Sequence, residues 1–118
     1  QIIAAQAEVI RGMGEKGRCV IVGRNSNYIL REFDDVLNVF IYANERFRLE
    51  HMSDMHPEYT GDNMQKRLRQ VDRIREKYCK YYTKQEFCDA RNYDICIDVA
   101  RLGIDESVEL LCGLARGN

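Results

Sequence analysis

Proline is almost missing from this chain: Pro57 is the only one in 118 residues. With so little proline and no low-complexity tract, nothing in the chain reads as disordered. No apolar run approaches the roughly 20 residues that cross a bilayer, and no signal-peptide pattern is present, so no membrane partner is expected. Cysteine is odd in number (Cys19, Cys79, Cys88, Cys96 and Cys112), and no two are spaced as CxxC. That argues against a disulfide framework or a thiolate zinc site and for a reducing, cytoplasmic setting. The two histidines, His51 and His56, have few acidic or thiol companions in register, so no metal site is expected. Met52 and Met55 read as core filler. The phosphate-cradling pattern GxxxxGK[ST] is missing too. The nearest glycine cluster, Gly12-Met-Gly-Glu-Lys-Gly17, closes a helical pattern, whereas that cradle needs strand, loop and then helix.

What is there is an ordinary globular composition, 45% apolar and 31% charged, sized for one domain with a modest core. Eighteen basic residues against nineteen acidic leave a net charge of −1, which implies no general nucleic-acid-binding surface. The charge is unevenly spread, however. Gln65–Lys84, QKRLRQVDRIREKYCKYYTK, holds eight basic residues and only Asp72 and Glu76 as acids, a local excess of six. Leu68, Val71, the stem of Arg75, Tyr78 and Tyr82 recur at three- and four-residue steps, so the segment reads as a helix with one packed edge.

Residues 2–16 read as an amphipathic helix ended by Gly14 and Gly17. Arg18–Gly23 reads as a strand buried on both faces, with Cys19 a small core residue. Asn25, Ser26 and Asn27 are cap-type residues before a short helix at 28–32. VLNVFIYA at 36–43 is a second buried strand, and Asn44 caps a helix to about Met55. A loop at 56–61 follows, and Thr60 or Asp62 caps the basic helix. YDICIDV at 93–99 is a third strand, containing Cys96. A closing helix at 105–114 sets Val108, Leu111 and Cys112 on its apolar side. Strands alternating with helices argue for a parallel α/β sheet, whose ligands bind beyond the carboxyl ends of the strands. The opening residue, Gln1, lies directly in a helical pattern, so a preceding part of the protein is expected.

Three groups could carry chemistry. Gly23-Arg24 follows the first strand, where glycine permits a sharp turn and an arginine fork could hold phosphate through two hydrogen bonds. Its plain alternative is a surface arginine after a turn. Asp72-x-x-Arg75 shares a helix face: either a local salt bridge of roughly 0.2–0.5 kcal/mol, or, with Arg73, a device that neutralises a transferring phosphoryl group. Tyr78, Tyr81 and Tyr82 interleaved with Lys77 and Lys80 could stack nucleic-acid bases, but the helical phase favours packing for Tyr78 and Tyr82.

Four blocks in order, VIRGMGEKGRCVIVGRNSNYIL, NVFIYANERFRLEHM, VDRIREKYCKYYT and NYDICIDVARLGIDESVELL, resemble the C-terminal two-thirds of the cytidylate kinase-like family of P-loop nucleoside monophosphate kinases. The resemblance runs from Val9 to Leu111. It implies a three-layer α/β/α P-loop fold without its P-loop unit: a single kinase-like domain whose residues 56–84 form a basic helical lid. It implies phosphoryl transfer from ATP, with Mg²⁺, to a nucleoside monophosphate or similar small acceptor, so nucleotides are the expected partners. By position, Arg24 with Gly23 would face the acceptor phosphate. Arg48 would match the arginine of the helix after the next strand. Asp72 and Arg75 would match the lid's Asp-x-x-Arg, with Arg73 their neighbour. Val22-Gly23-Arg24-Asn25 stands where cytidylate kinases resemble Asp-Gly-Arg-Asp, so an acid near Mg²⁺ is replaced by Val22. Asn27 replaces a frequent Asp, and Arg69 loosely matches a further lid arginine. The 118 residues alone are therefore expected to be inactive. A nucleotide-binding relative without chemistry and a small nucleic-acid-binding α/β module are the alternatives.

Overall fold

The computed structural model describes residues 2–58 and 61–117. Helix α1, Ile2–Lys16, ends as its glycine requires: Gly17 adopts a left-handed φ of 72°, and its N–H donates to the Met13 carbonyl at 3.0 Å. Gly14 has a packing role. A Cβ there would lie 2.8 Å from Leu30 Cδ2 and 3.0 Å from a Phe33 ring carbon, so its bare backbone lets α1 settle against the residues that follow α2, Ser26–Ile29. Ile10 and Leu30 are buried in that junction's elements.

Strand β1, Val39–Tyr42, pairs in parallel with β2, Ile95–Asp98, in the register Val39–Ile95 through Tyr42–Asp98. Asp94 locks the entry, since its carboxylate accepts the Asn38 N–H at 2.7 Å and its own N–H donates to the Asn38 carbonyl at 2.8 Å. Phe40 stacks on Tyr93 at 4.9 Å and meets the edge of Phe87 at 5.5 Å. The parallel pairing expected of alternating strands and helices is present, in a mixed α/β architecture that is mostly helical.

Helix α3, Glu45–Met55, begins under an Asn44 cap whose side-chain oxygen accepts the Phe47 N–H at 2.8 Å, as the sequence predicts. Helix α4, Gly61–Thr83, is the basic helix. Thr60, one of its two expected caps, lies outside the described residues, and Asp62 falls within the helix. Asp98 caps the short α5, Val99–Leu102, by accepting the Ala100 and Arg101 N–H groups. Helix α6, Ile104–Ala115, closes the chain.

Several expectations are corrected. Residues 18–23 form no strand, and Val20 and Val22 are 92% and 84% exposed. A strand exists only where its N–H and C=O groups find a neighbour, and the described sheet has two strands, β1 and β2, that pair with each other. Cys19 is accordingly exposed rather than core. The second strand is shorter than expected and half exposed, with Ile41 54% accessible. On α6 the apolar side is largely open: Val108 and Cys112 are exposed and only Leu111 is partly covered. On α4 the buried positions are Met64, Leu68, Cys79 and Thr83, and Tyr78 and Tyr82 are exposed. The small Cys79 and Thr83 face inward because they satisfy each other: the Thr83 hydroxyl donates to the Cys79 carbonyl at 2.6 Å. Met55 is exposed and Met52 half-buried, so only Met52 acts as filler.

Candidate functional site

Asp72 lies on the inward stripe of α4. It follows Leu68 by four residues and precedes Cys79 by seven, so it shares their face. A carboxylate at such a position needs a partner, and α3 supplies one. Arg48 projects from the second turn of α3 and donates its two terminal nitrogens to the two Asp72 oxygens at 2.8 and 2.7 Å. This fork-to-fork arrangement is the strong geometry for an arginine–carboxylate pair. The side chains are only 31% and 30% exposed. The bonds from Arg48 hold the Asp72 carboxyl below its ordinary range, with a smaller attraction from Arg75. In return Asp72 raises Arg48.

A second bridge joins the same helices. Glu45, in the first turn of α3, accepts from the Gln65 amide and from the Arg69 guanidinium at 3.1 Å. These bonds, Gln65's first, lower the Glu45 carboxyl. Arg73 and Arg75 are exposed, and neither has an ion-pair partner among the described residues. So Asp72 is paired across helices with Arg48, not along its own helix with Arg75. Arg75 is left with its charge available.

Gly23 and Arg24 stand elsewhere. Gly23, Arg24 and Asn25 have φ of 70°, 62° and 55°, three left-handed residues in succession before α2. Such a conformation costs a residue with a Cβ roughly 1–2 kcal/mol, and strain of this kind concentrates at functional sites. Arg24 lines a small cavity with residues of α1, α2 and the last turns of α4, Tyr78 and Tyr82 among them. The structure therefore gathers Arg48, Asp72 and Arg75 around the middle of α4, and sets Arg24 by its C-terminal end. Among the described residues, no three His, Cys, Asp or Glu side chains come together as metal ligands, and no helix is long and apolar enough to cross a membrane.

The sequence model of the cytidylate kinase-like family matches residues 1–101. The chain belongs to that family. The description of that family is kinase-like and nucleotide-related in general terms. No curated protein matches it. Among solved structures it is similar to an uncharacterised protein from Eubacterium ventriosum, with a TM-score of 0.89 and 22% identity. That likeness concerns the fold. It covers all of this chain and 66% of the other, so the kinase-like chain spans about two-thirds of that protein's length.

Three participants escaped the sequence reading. Glu45 carried a faint signal, an acid in the first turn behind a cap residue. Arg11 and Arg31, which line the cavity beside Arg24, carried none, because their convergence depends on how α1 and α2 pack.

Proposed function

We propose that the protein transfers a phosphoryl group from ATP to a nucleoside monophosphate or a similar small phosphorylated acceptor, with α4 as the closing lid. The observation that carries this reading is the bidentate Arg48–Asp72 pair beside an Arg75 that makes no ion pair of its own among the described residues. Phosphoryl transfer asks little covalent chemistry of a protein. It asks for fixed positive charge where the transferring group becomes more negative. Asp72 is the positioning residue: it consumes one edge of the Arg48 fork and so sets the direction of the rest. Arg75, one turn along, supplies the second cation. Arg24, held in its strained turn, faces the acceptor phosphate. Arg73 adds charge from the exposed side of the helix.

Mg²⁺, which the family implies, finds no cradle of side chains among the described residues. Asp72 is committed to Arg48, and Val22 stands where the family resemblance implies an acid. What the chain itself contributes is arginine. Its 118 residues contain no GxxxxGK[ST] loop, and this chain alone is expected to bind nucleotide without turnover.

The test is ATP-dependent phosphorylation of CMP by the full-length protein. Arg75→Ala is expected to lower kcat about a hundredfold, the scale of removing one preorganised donor. An unchanged kcat in that variant would refute the role. A second reading, nucleotide binding without chemistry, draws on Val22. It predicts CMP or ATP binding by full-length protein with no product.

A further inference from the structure

The two bridges between α3 and α4 run in opposite senses. On α3 the acid comes first, Glu45 and then Arg48; on α4 the base comes first, Arg69 and then Asp72. Both pairs are spaced i,i+3, so each shares one helix face. Glu45 accepts two bonds from the Arg69 guanidinium, at 3.1 and 3.3 Å, and one from the Gln65 amide. Arg48 pairs with Asp72. Displacing α4 by three residues one way would set Glu45 against Asp72 and Arg48 against Arg75, like charges in both rungs. Three residues the other way would set Arg48 against Arg69. A displacement of four would restore opposite charges, Glu45 with Arg73 and Arg48 with Glu76, but it would carry Asp72 into the place of the buried Leu68. Four the other way would set the Arg48 charge against Leu68. Of these registers, only the observed one satisfies both the charges and the core.

We infer that Glu45 is a positioning residue: it fixes the register of α4 on α3, so that Asp72 stays on Arg48 and Arg75 stands beside them. The structural half of this inference rests on the contacts alone; the catalytic half rests on the reading of Arg75 as a phosphoryl-facing cation. Glu45 suits the task. It follows the Asn44 cap directly, three residues past the end of β1, so its base is tied to the sheet. Glu45 and Arg69 are 37% and 57% exposed, and a bridge so open adds little stability. Its value lies in selecting one arrangement, as flanking charges select the register of paired helices. A slip of one turn would carry Arg75 about 5.4 Å along the helix axis. An error of about 1 Å at a reacting centre can cost about a hundredfold in rate.

Carbon-13 NMR titration of the Asp72 carboxyl in the full-length protein tests the structural half. Arg48 holds that group below its ordinary range, with a smaller attraction from Arg75. Glu45→Ala removes a negative charge, which by itself would lower Asp72 further. The expected result has the opposite sign: Asp72 rises toward the ordinary aspartate value of about 3.9 as its hold on Arg48 loosens. Gln65→Ala changes no charge and is expected to raise Asp72 as well. Arg46→Ala, which breaks only the exposed Arg46–Glu50 pair, leaves Asp72 where it is. An Asp72 value that stays or falls in either Glu45→Ala or Gln65→Ala overturns the inference, and so does an equal rise in Arg46→Ala. CMP phosphorylation by the same proteins tests the catalytic half. The kcat of Glu45→Ala should fall about tenfold or more with KM within about twofold, because register places a cation for the transition state. A parental kcat beside a raised Asp72 overturns that half. If the parent makes no product and Asp72 still rises, the phosphoryl-transfer reading falls and the Glu45 assignment stands.

Discussion

Arg48 and Asp72 carry opposite charges 24 positions apart, and their worth depends on partial burial. An exposed i,i+4 pair such as Arg46–Glu50, 90% and 66% accessible, contributes about 0.3 kcal/mol. The Arg48–Asp72 pair is bidentate and less than a third exposed, so a double-mutant cycle on thermal or urea unfolding should give a coupling of about 1 kcal/mol at pH 7. The coupling has a pH signature with a definite sign. Arg48 lowers the folded-state pKa of Asp72, so the unfolded chain binds the proton more readily. The stabilisation is complete above the ordinary aspartate value of about 3.9 and disappears as pH falls through the lower folded value. The same cycle repeated at successively lower pH should give a coupling that falls steadily as the Asp72 carboxyl takes up its proton. A coupling that does not change with pH would mean that packing, not charge, joins the two side chains.

Elements in this protein are set by their ends and by one stripe each. Asn44 stops β1 and starts α3 through a single side-chain hydrogen bond. Asn44→Ala should destabilise the fold by about 1 kcal/mol, measured by chemical denaturation, and Asn44→Asp should restore it. Helix α4 is set by its stripe. Its two ends bury Met64 and Leu68, then Cys79 and Thr83, with the half-buried Asp72 between them. This arrangement explains what could be read in the sequence. Leu68 belonged to the visible periodicity because it is large and apolar. Cys79 and Thr83 did not, because small and polar residues weigh little in a hydrophobic pattern. Tyr78 and Tyr82 weigh heavily in that pattern, and their rings instead pack on each other at the rim of the cavity.

The whole molecule is open for its length. Its radius of gyration is 15.8 Å, against about 13–14 Å for a compact chain of this size. The apolar 18–23 run without a strand partner belongs to that openness, with Val20 and Val22 almost fully accessible. Side chains that touch nothing contribute little to folding. Val20→Lys with Val22→Asp should therefore change the unfolding free energy of this chain by less than about 0.5 kcal/mol. The same change should lower self-association in sedimentation velocity, because exposed apolar edges template pairing. A large loss of stability would mean that the run is packed in solution.

Sequence alone determined the ends of helices α1 and α3 and the existence of α4. It also determined the parallel setting of β1 and β2 and membership of the kinase-like family. These depend on local periodicity, caps and ordered motifs, which travel with the chain. The partner of Asp72, the exposure of the 18–23 run and the convergence of Arg11, Arg24 and Arg31 were decided by tertiary structure. Charge and hydrophobicity say that a residue needs company. Only the packing of α3 on α4, and of α1 on α2, says which residue provides it.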